Sequence, residues 1–196
     1  MSRSLFIAAR AACAEALALL LPVTCAGCDE PDTALCEACI VALTPTPLCR
    51  TLDVPGGSSV ALWSALPFEG VAARVVRAIK EDGRTGLVAA LAPALEVALA
   101  STEAAGALLV PLPTSRASYR RRGFRVPDLL IRRTGFRSSR LLAYTRRTDD
   151  QRGLDREDRR RNVAGSLRGC PDAAGRRVVV VDDVVTTGAT LAEAVR

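Results

Sequence analysis

Histidine is absent from this 196-residue chain. That absence removes a nucleophile activated by imidazole, a histidine-held catalytic metal and a HExxH metalloprotease helix. Lysine is almost absent as well: Lys80 stands alone among 27 basic residues. A GC-rich genome produces such an arginine bias, and selection for guanidinium groups is the alternative reading. Aromatic residues make up 4% of the chain, which is thin material for a surface that works by stacking bases; Phe124 and Tyr144 are the candidates, and either serves equally as core. No stretch reaches the roughly 20 apolar residues needed to cross a bilayer. No GxxxxGK[ST] sequence is present, so a P-loop is excluded.

What is present is the composition of a folded protein, 49% apolar and 24% charged. The length suits one α/β domain with at most a small added module. The net charge of +6 is unevenly spread. Between Leu112 and Arg168 lie 17 arginines and six acidic residues, so that stretch is strongly basic while the remainder is net acidic. A basic stretch attracts polyanions, whether a diphosphate, a nucleic acid or an acidic membrane surface, and charge alone does not choose among them.

Residues 5–21 are apolar but interrupted by Arg10 and Glu15, and no Ala-x-Ala site follows, so they read as an amphipathic helix closed by Pro22 rather than as a signal peptide. Residues 44–59, with Pro45, Pro47, Pro55, Gly56 and Gly57, have the composition of a linker. From Val60 onward apolar strands alternate with amphipathic helices, the pattern of a parallel sheet covered by helices. Strands are expected over 60–66, 107–112, 140–144 and 177–181. Helices are expected over 69–81, 87–100, 127–133 and 155–161, with a last one from Thr190. The chain therefore divides into an N-terminal helix and cysteine module (1–43), a linker (44–59) and an α/β domain (60–196).

Seven cysteines, an odd count that includes two Cys-x-x-Cys pairs, argue against a secreted disulfide framework and for a reducing cytoplasm. Cys25 and Cys28, then Cys36 and Cys39, form two knuckles whose four thiolates can complete a closed tetrahedral shell around Zn2+. A closed shell is structural, and a loop this short needs the ion in place of a core. Cys13, Cys49 and Cys170 have no partner at ligand spacing and read as small apolar residues.

The most informative segment is residues 178–190. Four successive valines fit a strand buried on both faces. Two carboxylates, Asp182 and Asp183, follow, then Thr186-Thr187-Gly188-Ala189-Thr190 and a helical apolar pattern. A phosphate commonly sits where an α/β strand passes through a loop into a helix, because backbone N–H groups converge there. Backbone amides and hydroxyls of 186–190 can surround a phosphate dianion, and Gly188 allows close approach. Asp182 and Asp183 repel a phosphate but suit the 2′- and 3′-hydroxyls of a ribose. They also favour positive charge at the anomeric carbon, a catalytic role. The alternative, a bare buried strand ending in a solvated acid pair, has no need of the threonines and glycine at this offset.

This pattern resembles the binding motif for 5-phosphoribosyl-1-diphosphate (PRPP) in type I phosphoribosyltransferases. With the cysteine pairs, the chain resembles the ComF family, competence-associated proteins with an N-terminal zinc finger. Val110-Pro111-Leu112-Pro113, the arginines 116 and 120–122, and Gly123-Phe124 resemble that family's diphosphate loop and Arg-Gly-Phe signature. Arg147-Thr148, Gln151, Leu154, Arg159 and Asn162-Val163 resemble a further run, and Lys80 sits where the family commonly has lysine. Where the family reads Asn-Gln after the Phe, this chain has Arg125 and Val126. Family members continue beyond the point matching Arg196 with more helix and a further strand, so the chain is expected to be C-terminally incomplete.

The resemblance implies a type I phosphoribosyltransferase-like parallel sheet preceded by the zinc module. It implies PRPP held by Asp182, Asp183 and residues 186–190, and a diphosphate loop of Leu112, Pro113, Arg116, Arg120 and Arg122 with Mg2+ bridging the diphosphate. One function is transfer of a phosphoribosyl group to a nitrogen acceptor. Without histidine its general base must be a carboxylate, a lysine or the substrate itself. The other is a non-catalytic PRPP-binding protein that handles single-stranded DNA with the DNA-uptake machinery. Arg156 and the arginines 159–161, alternating with Asp155, Glu157 and Asp158, fit either that role or a salt-laced exposed helix.

Overall fold

A computed structural model describes residues 23–102, 105–146 and 161–196. The expected helix over 5–21, all but the last residue of that over 155–161, and Cys13, Arg147, Gln151 and Leu154 lie outside the described residues. The described part is α/β, with helices packed on short strands and a four-cysteine cluster at one end. Among the described residues, no helix is long and apolar enough to cross a membrane.

Helix α1 (Glu37–Ala42) closes the cysteine module. Residues 44–59, expected as a linker, instead carry strand β1 (Leu48–Val54), which pairs antiparallel with β2 (Ser58–Ser64). The prolines and glycines mark the ends of this ribbon. The turn at Pro55-Gly56-Gly57 uses φ of 104° and 88° at its two glycines, values that side chains with a Cβ disfavour.

Helix α2 (Gly70–Asp82) follows, its buried stripe formed by Ala72, Val75, Val76 and Ile79. Gly83 ends it in the left-handed conformation. A short 3-10 turn leads into α3 (Val88–Ala100). Strand β3 (Leu108–Pro111), helices α4 (Arg116–Arg122) and α5 (Val126–Arg133), and strand β4 (Leu142–Tyr144) come next. Further along the chain, β5 (Leu167–Gly169) pairs antiparallel with β4, and β6 (Val178–Val181) pairs parallel with β3. Helix α6 (Ala189–Val195) starts one residue ahead of expectation.

The parallel pair is sandwiched. Leu109, Val179 and Val181 face Leu99 of α3 and Ile131 of α5. Val180 turns the other way, toward Leu112, Leu167 and Leu191, with Leu52 and Leu62 of the ribbon beside them. This is the two-residue alternation of a strand covered on both faces. Burial increases along β6 toward the loop, from Val178 at 40% exposure to Val181 at 4%. Among the described residues, only β3 pairs with this strand.

The cysteine module is docked on α2. Ala26 and Leu43 join the core cluster of Ala72, Val75, Val76 and Ile79. Arg84, just beyond α2, donates to the carbonyls of Thr24 at 2.8 Å and Ala34 at 3.0 Å, and Arg74 pairs with Asp29.

Candidate functional site

Strand β6 delivers the loop. Leu112 N–H bonds to the Val181 carbonyl at 2.8 Å, carrying the parallel pairing one residue past β3. The chain leaves the sheet at Asp182, whose carboxylate accepts the backbone N–H of Asp183 at 2.9 Å. Thr187 Oγ1 accepts from the backbone N–H of Ala189 at 3.4 Å. Gly188 has φ 76°, and a Cβ built on it would lie 2.7 Å from Leu52 Cδ1 of β1. Only glycine therefore allows the loop to turn here beneath the ribbon.

Asp182, Asp183 and the loop from Val184 to Ala189 line one cavity of about 1300 Å3, whose other walls come from the ribbon, α3 and Phe68. Trp63, Arg161 and Glu193 also reach it. The loop is held from behind by α6, where the buried Glu193 pairs with Arg196 at 2.8 Å. That guanidinium, and then the N–H groups of Gly165 and Leu167, keep the Glu193 carboxyl below the usual carboxylate range despite its burial. Helix α6 is thereby tied to the start of β5.

Both Asp183 oxygens lie 2.9 Å from Lys80 Nζ, with Lys80 at 23% and Asp183 at 11% side-chain exposure. Asp182 behaves differently. Burial, followed by the neighbouring Asp183 charge, pushes its carboxyl up to about 8, against the opposing effects of the Asp183 N–H and the Lys80 ammonium. Burial thus favours the protonated form of Asp182 beside the Lys80–Asp183 ion pair. Burial and the nearby Asp182 also raise the Tyr144 phenol.

At the other end, the sulfurs of Cys25, Cys28, Cys36 and Cys39 lie within 4.8 Å of one another, with Cys28 and Cys36 3.6 Å apart. Four sulfurs at ~2.3 Å from a tetrahedral zinc would be ~3.8 Å apart, so a small closing movement completes the shell. The N–H groups of Gly27 and Cys36 point to Cys25 Sγ at 3.4 and 3.3 Å. Burial pushes the Cys25 thiol up, but backbone N–H groups of Cys36, Gly27 and Cys28 outweigh it and bring it down to about 6. Burial raises Cys39. A Cβ on Gly27 would run into Cys39 Sγ, so the first knuckle needs glycine. The cluster can hold a metal ion.

Known proteins match along most of this chain. It is 31% identical over 181 residues to the DNA utilization protein YhgH of Salmonella typhimurium, covering 86% of this chain and 79% of that protein. This chain belongs to the ComF family. YhgH of Escherichia coli K12 is 28% identical over the same length and shares. Competence protein F of Haemophilus influenzae is 32% identical over 93 residues, which are 43% of this chain and 41% of that protein. No protein-family profile matches the chain.

In this ComF-family chain the residues expected around the diphosphate do not line the loop cavity, although Leu112 shares a cluster with Val185 of the loop. Leu112 is buried in the core with Leu167 and Leu191, and Pro113 is half-buried. Arg116, Arg120 and Arg122 stand on α4, a helix capped by Ser115, whose hydroxyl accepts from the Ser118 N–H at 3.2 Å. None of the five lines the cavity, and Thr190 does not line it either. Arg116 and Arg120 are exposed, and Arg125 stacks over the Tyr119 ring at 4.4 Å. Sequence reasoning missed the β1–β2 ribbon as a wall of the site. Its signal was the alternation Leu48, Arg50, Leu52, Val54 ahead of a Pro-Gly-Gly turn.

Proposed function

We propose that this ComF-family chain binds PRPP through residues 178–190 and serves the use or uptake of DNA. The observation that carries this reading is the convergence of Asp182, Asp183 and residues 186–189 on one cavity wall at the end of a parallel strand. The loop offers N–H and hydroxyl donors to a phosphate, and the acid pair offers acceptors to a vicinal diol. A phosphoribosyltransferase-like domain over 60–196, with a structural zinc in the 1–43 module, is the architecture this reading entails. The names of the relatives, DNA utilization protein and competence protein, support the cellular role.

As an enzyme, the chain would bring a nitrogen acceptor to the anomeric carbon while the bond to diphosphate breaks. Mg2+ would enter with the diphosphate and offset part of its charge. A second reading, a PRPP-responsive protein without turnover that handles single-stranded DNA, has an observation in its favour. Lys80 lies 2.9 Å from both oxygens of Asp183, an internal counter-charge that weakens the acid pair as a stabiliser of an oxocarbenium ion.

Calorimetric titration with PRPP, with and without Mg2+, tests the site. Diphosphate release over a panel of free bases separates the two readings: release favours the transferase, and saturable binding without release favours the second. A chain that binds no PRPP under either condition refutes both.

A further inference from the structure

We infer that Lys80 is a positioning residue that makes the acid pair distinguish ribose from 2-deoxyribose, by fixing the Asp183 carboxylate as a preformed acceptor for one hydroxyl of a vicinal diol. This rests on the ribose-phosphate reading of the loop and extends it to the sugar.

The geometry comes first. A carboxylate has about four lone-pair sites. The ammonium donates to Oδ1 and lies 2.9 Å from Oδ2 as well, which fixes the carboxylate while leaving acceptor sites on it for a ligand. Asp182 spends one oxygen on the Asp183 N–H. The two side chains therefore line the cavity held by different groups, one by a backbone amide and the other by a lysine 103 residues earlier.

Lys80 is itself held in place. It lies in the last turn of α2, where the helix dipole favours a cation. Its neighbour Ile79 is fully buried, and α2 is clamped to the cysteine module through Arg74 and Arg84. Removing the ammonium would leave two adjacent, largely buried carboxyls with no counter-charge. Asp183 would lose both the group that holds its oxygens and the counter-charge that offsets its burial. Recognition of a second hydroxyl would go with them, while phosphate binding by residues 186–189 would not.

The experiment is calorimetric titration of the full chain with ribose 5-phosphate and with 2-deoxyribose 5-phosphate. Wild type is expected to prefer the ribo sugar by about ten- to a hundred-fold, the worth of a hydrogen bond to a charged group. Lys80→Met should reduce that preference to about two-fold or less, with deoxyribose 5-phosphate binding unchanged; Lys80→Arg should restore most of it. Asp183→Asn, which keeps the shape but removes the charge that Lys80 holds, should abolish the preference too, and it serves if Lys80→Met does not fold. Retained preference in Lys80→Met, or equal loss of both ligands in a folded variant, overturns the inference while leaving the ribose-phosphate site standing. Equal binding of both sugars by wild type overturns it also. Wild type binding PRPP and neither sugar phosphate overturns the inference alone; wild type binding none of the three overturns the site as well.

Discussion

Lys80 and Asp183, 103 residues apart, form an ion pair that joins helix α2 to the loop after β6, with both carboxylate oxygens 2.9 Å from the ammonium. The chain's sole lysine is thus spent on an internal partner, whereas Arg116, Arg120 and Arg121 of α4 face solvent.

Asp182 predicts a pH dependence of stability. Its folded pKa of about 8 lies above the unfolded value, so the folded state holds an extra proton between roughly pH 4 and 8. The contribution is complete below the unfolded pKa and is lost as pH rises through the folded one. Asp182→Asn, which mimics the protonated acid, should therefore melt higher than wild type at pH 9, by on the order of 5 °C, and should match it near pH 4. Melting curves of the two proteins at the two pH values check this.

Metal removal should be felt in the fold. One zinc per chain is expected by elemental analysis, and stripping it with a chelator should lower the melting temperature. Cys36→Ser should abolish retention. Arg84→Ala, which removes two hydrogen bonds to the module's carbonyls, should cost about 1–2 kcal/mol and speed chelator-driven release.

Gly188→Ala meets two obstacles, the φ of 76° and the Leu52 methyl. The expected cost is about 1–2 kcal/mol in denaturant unfolding, with loss of PRPP binding. Adding Leu52→Ala frees the space but not the backbone. The double variant should therefore bind no better than about a tenth as tightly as wild type.

Exposed arginines on α4 should act in nucleic-acid binding alone. The combined change Arg116→Ala, Arg120→Ala, Arg121→Ala should weaken single-stranded DNA binding in fluorescence anisotropy. It should also reduce the salt slope by about 0.7 for each phosphate that is no longer neutralised, with melting temperature and PRPP affinity unchanged. An unaltered salt slope would remove α4 from the DNA-handling reading.

What was legible in the sequence is what the chain states contiguously. Val181, the acid pair and the Thr-Thr-Gly turn follow one another, so strand, loop and helix could be read in order, and the cysteine spacing is equally local. The partner of Asp183 was not legible, because Lys80 is brought to it only by the packing of α2. The ribbon was hidden by composition: Pro45, Pro47, Pro55, Gly56 and Gly57 outweighed the alternation of Leu48, Leu52 and Val54, though they only bracket it. The arginines after Pro113 were expected around the diphosphate; Ser115 caps a helix there and Gly123 ends it, which leaves Arg116 and Arg120 exposed on α4 and Arg122 half-buried.

The docking of the cysteine module on α2 makes the module and the helical layer beside it interdependent in folding. A shortened protein beginning at residue 60 would lack the acceptors for Arg84 and the partner of Arg74, and it would uncover Ala72 and Val76 to water. Such a fragment should lose the sharp, single unfolding transition of an intact cooperative unit, with the sugar pocket loosening before the parallel strands part.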